Sequence, residues 1–151
     1  MKRYLILCAT DGSAAAQKAI EFAAELAREK LGELLVMHVQ QALGSELMPQ
    51  GLEELERVEH IRVTEADMLR SAAARIAEEG VRYARECGAP SVESLVADGD
   101  PARRIIETAR ERGAGLIVIG SRGLGDLQGL LLGSVSHKVA HLAPCTCVIV
   151  R

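Results

Sequence analysis

Leu116-Ile117-Val118-Ile119-Gly120-Ser121-Arg122-Gly123-Leu124-Gly125-Asp126-Leu127-Gln128-Gly129-Leu130-Leu131-Leu132-Gly133-Ser134 passes from an apolar run, through a loop with glycine at 120, 123, 125, 129 and 133, to the start of a helix over about 134–142. A short apolar run without polar alternation is the pattern of a strand covered on both faces. Glycines that dense let a backbone turn tightly and approach another group without a Cβ in the way. The same alternation of strand and helix extends outward in both directions. Upstream, Val92–Ala97 reads as a strand, and Pro101 suits the first turn of a helix with Ile105, Ile106 and Ala109 on one side. Downstream, Pro144 precedes a last strand over Thr146–Val150.

At the other end, Tyr4–Ala9 is a further apolar run, broken by Thr10-Asp11-Gly12-Ser13. Ser13 can cap a helix over about 14–31 whose apolar stripe is Ala16, Ile20, Ala23, Ala27 and Leu31, with Gly32 as its terminator. Leu34–Val39 is the second strand, and 41–52 reads as a surface loop. From Leu52 to Cys87 the pattern is helical, but it stutters near Thr64, where Thr64-x-x-Asp67 could open a fresh helix. One helix or two stays open. Five apolar strands separated by helices predict an α/β fold: a five-stranded, parallel, doubly wound (Rossmann-like) sheet with helices on both faces. No linker or repeat divides 1–151, so a single domain is expected.

Composition narrows the function. The chain has 151 residues, is 48% hydrophobic and 26% charged, and carries a net charge of −3, so it can form a core and presents no global basic field to nucleic acid. Two Tyr, one Phe and no Trp leave no stacking platform for single strands. No run approaches a membrane span, and the cationic start with its short apolar stretch has no cleavage site close behind it. A cytoplasmic location follows as the expectation, with neither nucleic acid nor membrane as partner. The four cysteines then read as thiols, and Cys145-x-Cys147 lacks the spacing of redox or zinc motifs.

Ligands of open α/β sheets lie beyond the carboxyl ends of the strands. Thr10–Ser13 and Gly120–Ser134 occupy that place. Gly133-Ser134 opens a helix whose N–H groups and positive dipole end favour an anion, and Ser134 can either donate to a phosphate oxygen or cap the helix. Arg122 could add a cation. A P-loop is absent, because no Lys follows a glycine at the required position, and Gly-x-Gly-x-x-Gly does not follow the first strand.

Gly120-x2-Gly123-x9-Gly133-Ser134 resembles the nucleotide-binding motif of the universal stress protein family. Asp11-Gly12-Ser13, His38-Val39 and Asp98-Gly99-Asp100-Pro101 resemble that family's first loop, second strand end and third helix entry. The resemblance spans essentially the whole chain, apart from a variable part at 41–70. It implies a nucleotide-binding domain over 1–151, usually a homodimer, that binds ATP with Mg²⁺ or Mn²⁺ bridging the phosphates. By position it implies that Asp11 and Val39 contact adenine or ribose beside Thr10, and that Ile119 lines the adenine pocket. Gly120, Gly123, Gly133 and Ser134 would hold ribose and phosphates, with Ser121, Arg122 and Val135 adjacent.

Plainer roles stand beside these. Asp11 can be a turn residue or cap, Arg122 and Lys138 solvated cations, and His38 a structural histidine. His137 and His141 share a helix face but have no evident third ligand. Glu53, Glu54, Glu56 and Glu59 fit a solvated helix face. No nucleophile–base pair or water-positioning group is readable around the loop. The expected function is therefore an ATP-binding stress-response or signalling module with an unknown protein partner, dimeric through its C-terminal edge strand. The alternatives are a slow ATP hydrolase on the same sheet and a nucleotide-independent dimeric module. Whether 41–63 closes over a nucleotide as a lid is left open.

Overall fold

The computed structural model describes residues 4–41, 52–124 and 131–151, over 52–64 as backbone only. Its elements alternate as β1 (Leu5–Ala9), α1 (Ala14–Lys30), β2 (Glu33–Gln40), α2 (Leu52–Glu86), β3 (Val92–Asp98), α3 (Pro101–Arg112), β4 (Leu116–Gly120), α4 (Ser134–Leu142) and β5 (Thr146–Val150). The strands form one parallel sheet in the order β3-β2-β1-β4-β5. The expected doubly wound architecture is what the chain adopts. The expected surface loop lies, but for its ends, outside the described residues.

Period-two alternation divides the core. Ile6, Cys8, Leu34, Val36, Leu116 and Val118 face α1 and α2, packed against Ala19, Ile20, Ala23, Val81 and Ala84. Leu7, Leu35, Met37, Ile117 and Ile119 face the opposite way, against Ile105, Ala109 and Val139 of α3 and α4. The alanine-rich face of α1 lets that helix lie close to the sheet: Ala16, Ala19, Ile20, Ala23, Ala24 and Ala27 are all buried.

The local readings need two corrections. Leu31 is not part of the buried stripe; it is 76% exposed and adopts the left-handed conformation that ends α1, at φ 50° and ψ 38°. Gly32 is needed for a different reason than termination, since a Cβ there would lie 2.8 Å from the Tyr4 carbonyl oxygen. The open question at Thr64 resolves as one continuous helix of 35 residues, about 52 Å long at the α-helical rise. No Gly or Pro interrupts Leu52–Glu79, so the local capping pattern at 64–67 has nothing to start. Ala73, Ala77, Val81 and Ala84 anchor the second half of α2, and at Gly80 the helix comes so close to β2 that a Cβ would meet Val36 Cγ1 at 2.8 Å.

Strand order reverses between β1, the central strand, and its neighbour β4, so the chain leaves their carboxyl ends in opposite directions. That divergence opens a crevice, and it brings the loop after β1 beside the loop after β4.

Candidate functional site

The first wall of the crevice is the turn after β1. Thr10 N–H donates to Met37 O at 2.8 Å, extending the β1–β2 ladder, and Thr10 is 6% exposed. Its Oγ1 accepts from Gly12 N–H at 3.2 Å, and Gly12 takes φ 81°, the turn conformation that favours glycine. His38 Nδ1 donates to Thr10 O at 2.8 Å. A carbonyl only accepts, so the proton must sit on Nδ1, and the imidazole serves to hold the turn.

Asp11 joins the two loops. Its Oδ1 accepts from Ser13 N–H at 2.9 Å, an Asx turn, while Oδ2 accepts from Leu124 N–H at 2.7 Å across 113 positions of sequence. Both carboxylate oxygens thus hold backbone amides, each with lone-pair capacity left for a further donor.

The second wall is the end of β4 and the start of α4. Ser121 N–H donates to Val150 O at 2.8 Å, and Ser121 O accepts from Gly133 N–H at 2.6 Å. Gly120 meets a packing requirement of its own: a Cβ there would lie 2.9 Å from the Ala15 carbonyl carbon of α1. The expectation that glycine at 120 clears space for a bound group thus has a structural rival.

Three helices begin at this edge in described geometry, and they differ at their first residues. Ser13 Oγ caps α1 by accepting from Ala16 N–H at 3.2 Å, and Asp100 Oδ2 caps α3 by accepting from Arg103 N–H at 3.0 Å. The residue before α4 is Gly133, at φ −71° and ψ 167°, and among the described residues no side chain caps this helix. Its first amides, on Ser134, Val135 and Ser136, have no carbonyl one turn back to bond. Ser134 is the first helical residue and does not act as the cap, which leaves its hydroxyl available.

These walls enclose a cavity of about 290 Å³. Of the residues expected at a site, Thr10, Asp11, Val39, Ile119, Gly120, Arg122, Gly123, Ser134 and Val135 line it. Ser121 and Gly133 stand behind it as framework, both buried. Sequence reasoning missed Met37, Pro101, Ile105 and Ser136, which also line it. Met37 and Ile105 carried a signal, since Met37 shares the strand face of Val39 two residues on and Ile105 lies on the apolar side of α3. Ser136 carried none. The floor is therefore aliphatic, the rim polar, with the exposed Arg122 at its mouth. Among the described residues no three His, Cys, Asp or Glu side chains converge as a metal site.

A doubly wound α/β domain with a cavity at its switch point and an uncapped helix start on one wall is a ligand-binding architecture by geometry. Residues 5–151 match the family model described as Universal stress protein family. The universal stress protein YxiE of Bacillus subtilis is 37% identical over 154 residues, with 97% of each chain covered. The chain belongs to the universal stress protein family. Its fold superposes on universal stress protein UspA from Lactobacillus plantarum with a TM-score of 0.81 at 21% identity, covering 100% of this chain and 99% of that one. A solved structure described as a universal stress protein in complex with cAMP gives a TM-score of 0.72 at 23% identity, covering 100% of this chain and 98% of that one.

Proposed function

We propose that this chain binds an adenine nucleotide, ATP in the first instance, and acts as a nucleotide-dependent stress-response or signalling module. The observation that carries the reading is the uncapped start of α4, glycine-capped where its neighbours carry Ser13 and Asp100, opening onto a cavity with an aliphatic floor. Anions favour unsatisfied amides at the positive end of a helix dipole. A purine ring favours flat aliphatic walls, here Val39, Ile105 and Ile119.

A volume of about 290 Å³ suits a nucleoside better than a whole nucleotide. Base and ribose fill it in this reading, while the phosphates run along the mouth past Arg122, Gly123 and Ser134. Asp11, with capacity left on both oxygens, accepts from a base or ribose donor. Mg²⁺ or Mn²⁺ would be held through the phosphates, supplying charge neutralisation there. The cAMP-bound neighbour is a family member of the same fold carrying an adenine nucleotide, which supports the class of ligand. Binding is favoured over hydrolysis because both Asp11 oxygens hold backbone amides rather than facing a water as a base would.

The same reading includes a homodimer through β5. The two sheet edges differ in charge: β3 carries Glu93, paired with Arg112, and Asp98, whereas β5 is Thr-Cys-Val-Ile-Val without a charge, exposed at Thr146 and half-buried over the four residues after it. An uncharged edge is a template for strand addition and a charged one opposes it. A monomer mass by light scattering at high concentration would overturn this part. The four free thiols fit a reducing, cytoplasmic compartment.

The test of the main reading is direct. Purified protein is denatured and any released nucleotide identified by mass, and the emptied protein is titrated with ATP and Mg²⁺ by calorimetry. Stoichiometric ATP or a saturable heat supports the reading. No heat and no thermal shift at millimolar ATP overturns it and leaves the dimeric, nucleotide-independent module as the standing alternative.

A further inference from the structure

We infer that Ser136 is the positioning residue for the phosphate end of this site, an inference that rests on the nucleotide reading above. Ser136 lies in the first turn of α4 and is 3% exposed. Its Oγ is 2.8 Å from Ser121 O and 3.1 Å from Gly133 O, and a hydroxyl has one proton to donate. Each carbonyl already accepts one backbone N–H, Gly133 O from His137 at 3.0 Å and Ser121 O from Gly133 at 2.6 Å, so distance decides, and the shorter bond to Ser121 O takes the proton.

Ser121 O then holds α4 at two points. Gly133 N–H donates to it from the cap position, and Ser136 Oγ donates from three residues later. Two attachments nearly one turn apart fix the rotation of the helix about its axis as well as its distance from β4. The anchor is itself fixed, because Ser121 N–H donates to Val150 O of β5. The directions of the Ser134 and Val135 amides, and of the Ser134 hydroxyl, follow from this arrangement. A serine early in a helix commonly accepts from backbone N–H groups nearby. Here the hydroxyl is a donor turned to the carbonyl of the residue after β4, so it competes for none of the amides the phosphates would use.

The test separates a positioning role from general loosening. Ser136→Ala should bind ATP about fivefold to tenfold more weakly, the loss of one buried hydrogen bond's worth of alignment, while adenosine, which lacks the phosphates, binds as to wild type. Ser136→Thr, which keeps the donor, should restore ATP affinity to within twofold. In the ligand-free protein, hydrogen exchange of the two bonded amides at this helix start, those of Gly133 and His137, should quicken in the alanine variant, a readout that does not depend on nucleotide. Equal weakening of ATP and adenosine, or ATP affinity unchanged in Ser136→Ala, overturns the inference. If Ser136→Ala does not fold, Ser136→Cys, similar in size with a weaker donor, carries the same two outcomes. Failure of wild type itself to bind ATP refutes the nucleotide reading and is seen before any variant is made.

Discussion

Replacing Gly133 with aspartate should stabilise the fold and abolish nucleotide binding at once. The backbone at Gly133, φ −71° and ψ 167°, is nearly that of Ser13, φ −71° and ψ 164°, which caps α1. An extended backbone of that kind accepts any residue, so aspartate there can reach an amide of the first turn as Ser13 reaches Ala16. Replacing a glycine cap with a side-chain cap gains a few tenths of a kcal/mol. A negative charge at a helix start adds roughly 0.3–1 kcal/mol. The sum, about 0.5–1.5 kcal/mol, corresponds to a rise in Tm of about 1–6 °C for a chain of this size. Binding moves the other way. A carboxylate about 4 Å from a phosphate charge costs on the order of 4 kcal/mol at an effective dielectric of 20, and it occupies the amides the phosphate would take. Allowing the side chain to swing aside, ATP affinity should still fall at least about a hundredfold. Thermal unfolding without nucleotide and calorimetric titration with MgATP read the two effects. Gly133→Asn, a cap without charge, should show most of the stabilisation and a smaller loss of binding. A fall in Tm would mean that this helix start is not open to capping. ATP affinity retained within threefold would mean that phosphates do not bind there. Either result refutes the reasoning.

Four further outcomes rest on the fold alone. Gly80→Ala, which in an ordinary helix gains about 1 kcal/mol, should lose about 1–2 kcal/mol net in a denaturant titration, because the new Cβ meets fully buried Val36 at 2.8 Å; a gain would show that α2 can lift off β2. Leu31→Gly relieves a left-handed leucine at the end of α1, where Gly113 does the same work after α3. Set against the extra freedom of glycine in the unfolded chain, it should raise stability by about 0.5–1 kcal/mol, measured by the shift in midpoint at constant slope. Burial pushes the Cys8 thiol from 9.0 up to about 12. The folded state therefore keeps its proton where the unfolded chain loses it, so the stability this site contributes is full below pH 9 and falls as pH rises toward 12. Cys8 should also be the last thiol to react with a disulfide reagent in native protein at pH 8, and labelling as fast as that of Cys87 would contradict its burial.

The alternation of strand and helix was legible in the sequence because it is local: side chains two apart share a strand face, and those three or four apart share a helix face. The glycine and serine spacing around 120–134 was legible for the same reason, and it led to the crevice whose walls the structure describes. What misled was local reasoning applied to non-local causes. Gly32 looks like a helix terminator because it follows α1, yet Tyr4, far along the chain, is what requires it. Gly120 lines the cavity, and a second demand on it comes from Ala15 of α1, which a Cβ there would meet. Leu31 matches the helical stripe by spacing and leaves it because the chain must turn there. The stutter at Thr64 could not be judged without knowing that α2 runs on to dock its second half on β2 and β3.

By itself, then, the order of residues determined which segments become strands and helices, which faces are apolar, and which two loops hold the glycine, serine and aspartate that give the edge its polarity. Only the tertiary structure decided how those loops meet. The placement of β1 beside β4 brings Asp11 Oδ2 to Leu124 N–H, and the pairing of β4 with β5 fixes Ser121 so that Ser136 can reach its carbonyl. The physical reason is range. Patterning acts over a few residues through steric periodicity, whereas a hydrogen bond between residues 113 apart exists only after sheet pairing has brought its donor and acceptor together.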